Sequence, residues 1–553
     1  MVASFFKKSA KVLSLKQTNI LSAAMVIMTT VLFSALLGLI RVRLLATFFG
    51  DSRTLDVYWA AFRLPDMIFQ LLVMGTVSSA FIPVFSSYLG KNDNKTAFYV
   101  ANSVITIGLL VFTFILVILL LFTKELSRIL APGFSEEEII LMTKLTRIML
   151  IGQTFFVFGN FLTGILQSFH RFLLPALAPI VYNVGIILGI LLLSPSIGIL
   201  GPTYGVLIGT ILFFVIQLPI AKKIGWSYKP VITTKHPGVL EIAKLMIPRT
   251  LSLGVSQIEY TVDLMIASLF APGHYTIFTF ALFLISLPIR LFGATIGQAS
   301  LPTLSLTIAK ENTDEFKKTL TASFQQIVYL VFPASIILLV LRVPLVRLAF
   351  GSKSFSWDAT LLTGKVVAIL TIAIIAQSLT QLLIRGFYAF HDTKTPFKIG
   401  AISVAVNVIF SLYFAMYLNL GVVGLAISTS ASSLTNILLL LIYMIKKTGR
   451  VENSDIISLI KKVIATGIMA LTLYLLMRIL DLFIFDTSRT INLIFLTIVT
   501  LILGTTSYLF SSYLLKIDEA ESFLKILSRL KEWKKILETN EEIIETPSQT
   551  PQS

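Results

Sequence analysis

The sequence predicts an all-α membrane protein that crosses the bilayer about fourteen times. Two observations carry this. Of 553 residues, 56% are hydrophobic and only 13% charged, and the mean hydropathy is +0.89, a balance foreign to a soluble domain of this length. Apolar stretches of about 20 residues, the length that spans the hydrocarbon core, recur with short polar punctuation between them.

The expected spans are 19–41, 57–88, 97–123, 139–168, 173–194, 199–221, 243–270, 275–304, 318–346, 359–389, 397–418, 421–445, 456–480 and 490–515. The first follows a basic leader of Lys7, Lys8, Lys11 and Lys16. It is too long for a secretory signal, and Arg41 and Arg43 stand where a small-residue cleavage site would be, so it reads as an uncleaved helix ending at Arg41. After the last span, 516–538 sets Phe523, Leu524, Leu527, Leu530, Trp533 and Leu537 among charges at helical spacing, as an interfacial amphipathic helix does. Its basic face suits anionic lipid headgroups. The polar stretch 539–553, with Pro547 and Pro551, reads as disordered.

The net charge of +17 marks topology rather than nucleic acid. With the N-terminus in the cytoplasm, inner loops receive Lys91 and Lys95, Arg171, the group Lys222, Lys223, Lys229 and Lys235, then Lys310, Lys317 and Lys318, Lys394 and Lys398, and finally Lys446, Lys447 and Arg450. The outer loops 194–202, 271–274 and 418–420 carry no Lys or Arg. This positive-inside pattern puts both termini in the cytoplasm of a multi-pass inner-membrane protein.

The chain repeats internally. "FHRFLLPALAPIVYNV" (169–184) with "GILGPTYG" (198–205) matches "FHDTKTPFKIGAISVAVNV" (390–408) with "GVVGLAIS" (421–428). Each copy runs Phe-His, Pro, a mid-helix Asn (Asn183, Asn407) and then Gly-x-x-Gly. Leu64-Pro65, Gly75 and Pro83 likewise answer Leu287-Pro288, Gly297 and Pro302. Because both copies keep one polarity, the expected organisation is two parallel six-helix lobes, 1–223 and 224–447, followed by two extra helices in 448–515.

Charges inside spans are costly, about 2.5 to 3.5 kcal/mol at the bilayer centre, so each invites a reason. The candidates are Arg41, Arg63, Arg147, Arg249, Glu259, Asp263, Lys365 and Arg385. Glu259 and Asp263 are four apart and share a helix face, either as two carboxylates offered to a cation or to arginines across a cavity, or with one acid paired locally. Arg63, Lys365 and Arg385 have snorkelling as the simpler reading, and Asn183 and Asn407 have interhelical hydrogen bonding. The chain has no cysteine and only four scattered histidines, which leaves no metal cluster of those types. No Walker loop, Gly-x-Ser-x-Gly elbow or His-Glu-x-x-His occurs, so the protein reads as a non-enzyme driven by an ion gradient, membrane potential or substrate gradient.

Most of the chain resembles the MurJ/MviN lipid II flippases of the MOP exporter superfamily, to which MATE transporters also belong. The strings that carry the resemblance are "FSALLGLIR" (33–41), "FFG" (48–50), Asp56, "AFRLPD" (61–66), "SSAFIPVFSSYL" (78–89), "LAPGF" (130–134), "RFLLPALAPIVYNV" (171–184), "IPRTLSLGVSQI" (247–258), "LPTLS" (301–305), "PLVRLAFGSKSF" (344–355) and "DTKTPFKI" (392–399). The resemblance implies alternating access of a central cavity and transport of the undecaprenyl-diphosphate-linked peptidoglycan precursor, with cell-wall synthesis machinery as partner. Arg41 would hold the diphosphate, supported by Arg43, Arg147 or Arg249, with Asp56 and Arg63 organising the outer end of the second helix. Glu259 and Asp263 would gate or couple. A sodium site in the second lobe is also implied, matched by Asp263, Asn407 and Ser411. The chain departs from the family where cavity charges are expected: Ala35, Val42, Phe69, Met74, Leu282 and Phe283 stand there instead. Two alternatives follow, a different polyprenyl-linked glycan or a non-transporting scaffold.

Overall fold

The computed structural model describes residues 20–74, 80–91, 93–449 and 452–520. The basic leader, Gly75, most of the expected amphipathic helix and the tail lie outside the described residues, as do the side chains of Met74 and Arg249.

All regular structure among the described residues is helical. The long helical segments are α1 (Ile20–Phe49), α2 (53–90, interrupted), α3 (Asn94–Leu121), α4 (Glu136–Ser168), α5 (Leu173–Ile197), α6 (Leu200–Lys223), α7 (Pro237–Ser268), α8 (His274–Ala309), α9 (Thr313–Val340), α10 (Trp357–Ala389), α11 (Lys394–Tyr417), α12 (Val422–Thr448), α13 (Asn453–Phe483) and α14 (Thr490–Leu514). Twelve helices among the described residues are long and apolar enough to cross a membrane. The expected set adds two more segments. One is α7, which carries Glu241, Lys244, Arg249, Glu259 and Asp263. The other is α2, divided into Arg53–Ala61, Arg63–Ile68, a π-helical turn at Phe69–Met74, and Ile82–Gly90.

Local chemistry sets the helix ends. Ser135 and Glu138 close a reciprocal capping box on α4, with Glu138 accepting from the Ser135 N–H at 2.7 Å. Asp93 caps α3 through the Thr96 N–H, and Asn312 caps α9 through the Glu315 N–H. The largest boundary difference from expectation is in α1, which continues two turns past Arg41 to Phe49. The added turns bury Val42, Leu45 and Ala46 and join Arg43 to the Leu348 carbonyl, so tertiary packing carries the helix through its charged residues.

The internal repeat is written into the backbone. Left-handed conformations fall at Gly50 and Gly273, His170 and His391, Gly198 and Gly421, and Gly225 and Gly449, each pair about 220 residues apart. The two histidines adopt φ 57° and 56°, a region costly for a side-chain-bearing residue, at the same Phe-His step of each copy. Short lateral helices, Thr123–Leu130 and Arg342–Phe350, follow α3 and α9. The π turn of α2 has its counterpart in α8 (Ile289–Ala294), and that of α5 (Gly189–Leu193) in α11 (Ser411–Tyr417).

The chain forms two compact units. The first comprises residues 1–283, 346–369 and 397–432. Its core stacks Phe81 on Phe85 with Phe112, Phe161 and Trp226 around them. There α5 and α6 touch backbone to backbone: a Cβ on Gly185 or Gly189 would stand 2.5 Å from the Cα of Gly209 or Gly205. The second comprises 284–345, 370–396 and 433–553. Its core holds Tyr329, Met469, Leu473 and Tyr508, with the Tyr508 hydroxyl donating to the Tyr329 carbonyl at 2.7 Å. Lys462, fully buried on α13, donates to Gln325 on α9 at 2.6 Å and to Glu519 beyond α14 at 2.9 Å. The ion pair ties α13 to the segment after α14, and the Gln325 bond ties α13 to α9.

Candidate functional site

Two regions of the first unit gather the polar groups. The first lies where the loops expected outside the membrane converge. Ser356 donates its hydroxyl to Asp51 at 2.6 Å, and Ser352 donates to the Ala46 carbonyl at 3.0 Å. Arg53 donates to the Phe270 carbonyl at 2.9 Å and stands 3.5 Å from Glu138. The backbones are in contact: a Cβ on Gly50 would stand 1.9 Å from the Ser354 carbonyl oxygen, and one on Gly273 2.1 Å from that of Asp51.

Asp56 is the centre of this lock. It is fully buried and accepts three hydrogen bonds, each 2.7 Å, from the Gly273 N–H, the Thr276 N–H and the Thr276 hydroxyl. The first turn of α8 therefore receives a carboxylate exactly where unpaired N–H groups and the positive end of the helix dipole call for one. Arg53, 3.7 Å away, balances the charge. In this arrangement Asp56 joins α2 to α8, and its oxygens are occupied by protein donors.

The second region is the polar interior. Arg63 is buried and donates to the Thr261 hydroxyl at 3.0 Å and to the Gln257 carbonyl at 2.6 Å, both on α7, and it faces the Tyr260 ring. Its guanidinium is thus an α2–α7 brace. Asp66 lies within electrostatic reach of both Arg63 and Arg41, and Tyr58 and Tyr182 within electrostatic reach of Arg41. The Arg41 Nε is shielded from solvent and has no hydrogen-bond partner among the described residues. Asp66, Phe62, Pro65, Gln153, Phe156 and Tyr182 line a small cavity. Asp66 stands in the quoted string "AFRLPD" but was not among the candidate residues. Its i, i+3 spacing from Arg63 was the available signal.

On α7, Glu259 and Asp263 act on one another electrostatically, and Arg63 acts on Asp263 from across the helix pair. No ion pair within 4.0 Å joins these groups among the described residues. Asp263 is 4% exposed, with Oδ1 unpartnered. Asn407, on α11, is fully buried with both amide atoms unpartnered, and Ser411 donates to Ser428 at 2.8 Å. The π turn that Ser411 opens packs against α7. No cluster of three His, Cys, Asp or Glu side chains that could hold a metal occurs among the described residues, so a cation here would draw on mixed carboxylate and amide oxygens. Arg249 cannot be assigned to either region because its side chain lies outside the described residues.

A many-helix bundle with an internal repeat, loops locked together around Asp56 and charges gathered about Arg41 and Arg63 has the fold of a MOP-type transporter. The fold of a MATE transporter of that superfamily in an inward-facing conformation aligns with a TM-score of 0.62, covering 77% of this chain and 100% of that one at 16% identity. The chain belongs to the lipid II flippase MurJ family, whose model matches residues 45–495. A probable lipid II flippase MurJ of Vibrio cholerae is 29% identical over 434 residues, 76% of this chain and 82% of the relative. A solved lipid II flippase MurJ in an inward closed conformation aligns with a TM-score of 0.74 at 27% identity, covering 89% of this chain and 99% of that one.

Proposed function

We propose that this protein is a lipid II flippase. It moves the undecaprenyl-diphosphate-linked peptidoglycan precursor from the cytoplasmic to the periplasmic leaflet of the cytoplasmic membrane, with both termini in the cytoplasm. Family membership across most of the chain, with a TM-score of 0.74 to a solved flippase of that family, carries the reading. Transport is by alternating access of the two repeated six-helix halves, 1–223 and 224–447, and the Asp56 lock holds the outer end shut while the substrate site loads. Arg41, whose Nε lacks a protein partner, takes a phosphate oxygen; Arg249 supports it, and Arg63 fixes the α2–α7 face. Anionic lipid headgroups steady the inner surface, and cell-wall synthesis machinery supplies and consumes the cargo.

Sodium is the coupling ion in this account, bound by Asp263, Asn407 and Ser411. Support comes from the unpartnered polar atoms of the first two, since buried amide and carboxylate groups without partners are costly unless an ion or water meets them. Glu259 tunes that site electrostatically.

The test is rescue of a bacterium depleted of its own lipid II flippase. The chain is expected to restore growth and Arg41→Ala to abolish rescue. Failure to rescue despite full membrane expression overturns the proposal. A second reading, transport of a different polyprenyl-linked glycan, draws on Ala35, Phe69 and Phe283 where the family carries charge. Native mass spectrometry of protein extracted from its own host, identifying the co-purified lipid, decides between the two.

A further inference from the structure

After α14 the chain folds back onto the second unit. Lys516 takes a left-handed conformation (φ 51°), the Ile517 N–H donates to the Ser512 carbonyl at 3.0 Å, and residues 518–520 are again helical. Ile517 and Ala520 are buried in the cluster that holds Tyr329 and Tyr508, and Glu519 is fixed to Lys462 at 2.9 Å. The course of the chain is therefore held as far as Ala520, and 33 residues of sequence follow it.

Asp518 and Glu519 stand in the wall of a polar hollow, together with Lys317 and Lys318 of α9 and with Glu452 and Asp455 at the start of α13. Four carboxylates against two lysines leave this wall acidic. Lys317 stands 3.5 Å from Glu452, and no ion pair within 4.0 Å reaches Asp455 among the described residues. Lys317, Thr321, Gln325 and Asp455 also line an adjoining apolar groove of about 310 Å³ between α9, α10, α12 and α13, whose walls include Phe324, Leu441, Ile445, Ile456 and Leu459. Ile456 is 47% exposed. An apolar groove with an acidic mouth fits a partner that has an apolar face flanked by cations.

The sequence leaving this mouth has that character. Wound as a helix, Phe523, Ile526, Leu527, Leu530, Trp533 and Leu537 fall within an arc of about 120°, with Arg529 and Lys531 bordering it on either side. Residues 522–537 carry five basic side chains and one acidic one. Phe523 follows Ala520 by three residues, at most about 11 Å of chain, so the apolar face begins at the mouth. Amphipathicity alone suits a bilayer surface equally well, but the acidic wall repels an anionic headgroup and attracts a basic peptide.

We propose that residues 521–538 dock intramolecularly in the groove between α9, α10, α12 and α13, apolar face inward, with the bordering cations on the acidic mouth. The docked segment bridges α13 to α9 and α12. A tethered segment meets its groove at an effective concentration of about 1 mM, so an intrinsic affinity as weak as about 0.1 mM keeps the groove covered about ten times in eleven.

Because the chain has no cysteine, Ile456→Cys places a single thiol on the groove wall of the full-length protein. In detergent, its reaction with a water-borne maleimide is expected to speed up by about tenfold when the chain is stopped after Ala520. The full-length variant Leu530→Glu with Trp533→Glu, which keeps every residue of the chain, is expected to match the truncated one. Equal rates in all three monodisperse proteins overturn the proposal. Nanodiscs separate protein from lipid as the partner of the segment. Protection of the thiol is expected in discs of phosphatidylcholine and in discs that also contain phosphatidylglycerol; protection lost in the anionic discs assigns the segment to the bilayer and overturns the proposal.

Discussion

Removing the Asp56 carboxylate should open the end of the molecule where α2 meets the start of α8. In the structure that group accepts three hydrogen bonds of 2.7 Å from the start of α8, and it is fully buried. Hydrogen bonds to a charged acceptor contribute about 1.5 to 3 kcal/mol each and are not additive. The N-terminal helix dipole adds up to about 2 kcal/mol in a partly buried geometry. Breaking a buried, paired charge as a whole costs about 3 to 5 kcal/mol. The loss falls on the conformation in which α2 and α8 are joined, so Asp56→Ala should shift a closed-to-open equilibrium by about a hundredfold or more. Asp56→Asn, which keeps one acceptor oxygen, should shift it less. Ala46→Cys provides the readout, since Ala46 is fully buried where Ser352 donates to its carbonyl. A membrane-impermeant thiol reagent applied from outside should label it slowly in the parent and far faster with Asp56→Ala. Equal labelling rates in two monodisperse, well-expressed proteins would refute the idea that Asp56 locks this end.

Further outcomes follow from the packing. Gly189→Val forces a Cβ into the Gly205 backbone and should lower thermal stability in detergent by the equivalent of about 1 to 3 kcal/mol or prevent folding; an unchanged melting temperature contradicts the α5–α6 contact. Lys462→Met leaves Glu519 and Gln325 without their cation and should destabilise by about 3 kcal/mol or more, whereas adding Glu519→Gln to it should recover much of the loss. Denaturation of the double variant at or below the single one would argue against the pair. In the loop after α10, burial pushes the Asp392 carboxyl up, but hydrogen bonds from Lys447 and Thr395 outweigh it and hold the group down at about 2. A depressed folded-state value stabilises fully above the ordinary carboxylate range and fades as pH falls toward 2. Lys447→Ala should therefore cost stability at pH 6 and progressively less in acid; a pH-independent difference would refute the linkage.

Much of the fold was legible in the sequence, because hydropathy reports directly on the lipid solvent. The expected span 490–515 and the observed Thr490–Leu514 nearly coincide. The repeat, inferred from ordered Pro, Gly and Asn, reappears as paired left-handed residues at His170 and His391. What stayed hidden depends on three-dimensional neighbours. The continuation of α1 beyond Arg41 rests on burial of Leu45 and Ala46 against distant segments. The π turns at Phe69–Met74 and Ile289–Ala294 have no hydropathy signature, since one extra residue in a turn leaves composition unchanged. Among candidate site residues, Asp56 was recognisable but not its capping of α8, which needs the loop at Gly273 brought beside it. The brace formed by Arg63 and the electrostatic reach of Asp66 to both Arg63 and Arg41 likewise required α7 and α1 to be placed against α2.

The central claim is that this chain carries lipid II across a bilayer. Its most direct test is reconstitution into vesicles containing lipid II that bears a fluorophore on its head, followed by quenching with an impermeant reductant. If the account is right, vesicles holding the protein lose nearly all of the signal as inner-leaflet lipid is brought out, and Arg41→Ala restores the protein-free behaviour. A signal that stops at the outer-leaflet fraction, as it does without protein, would contradict it.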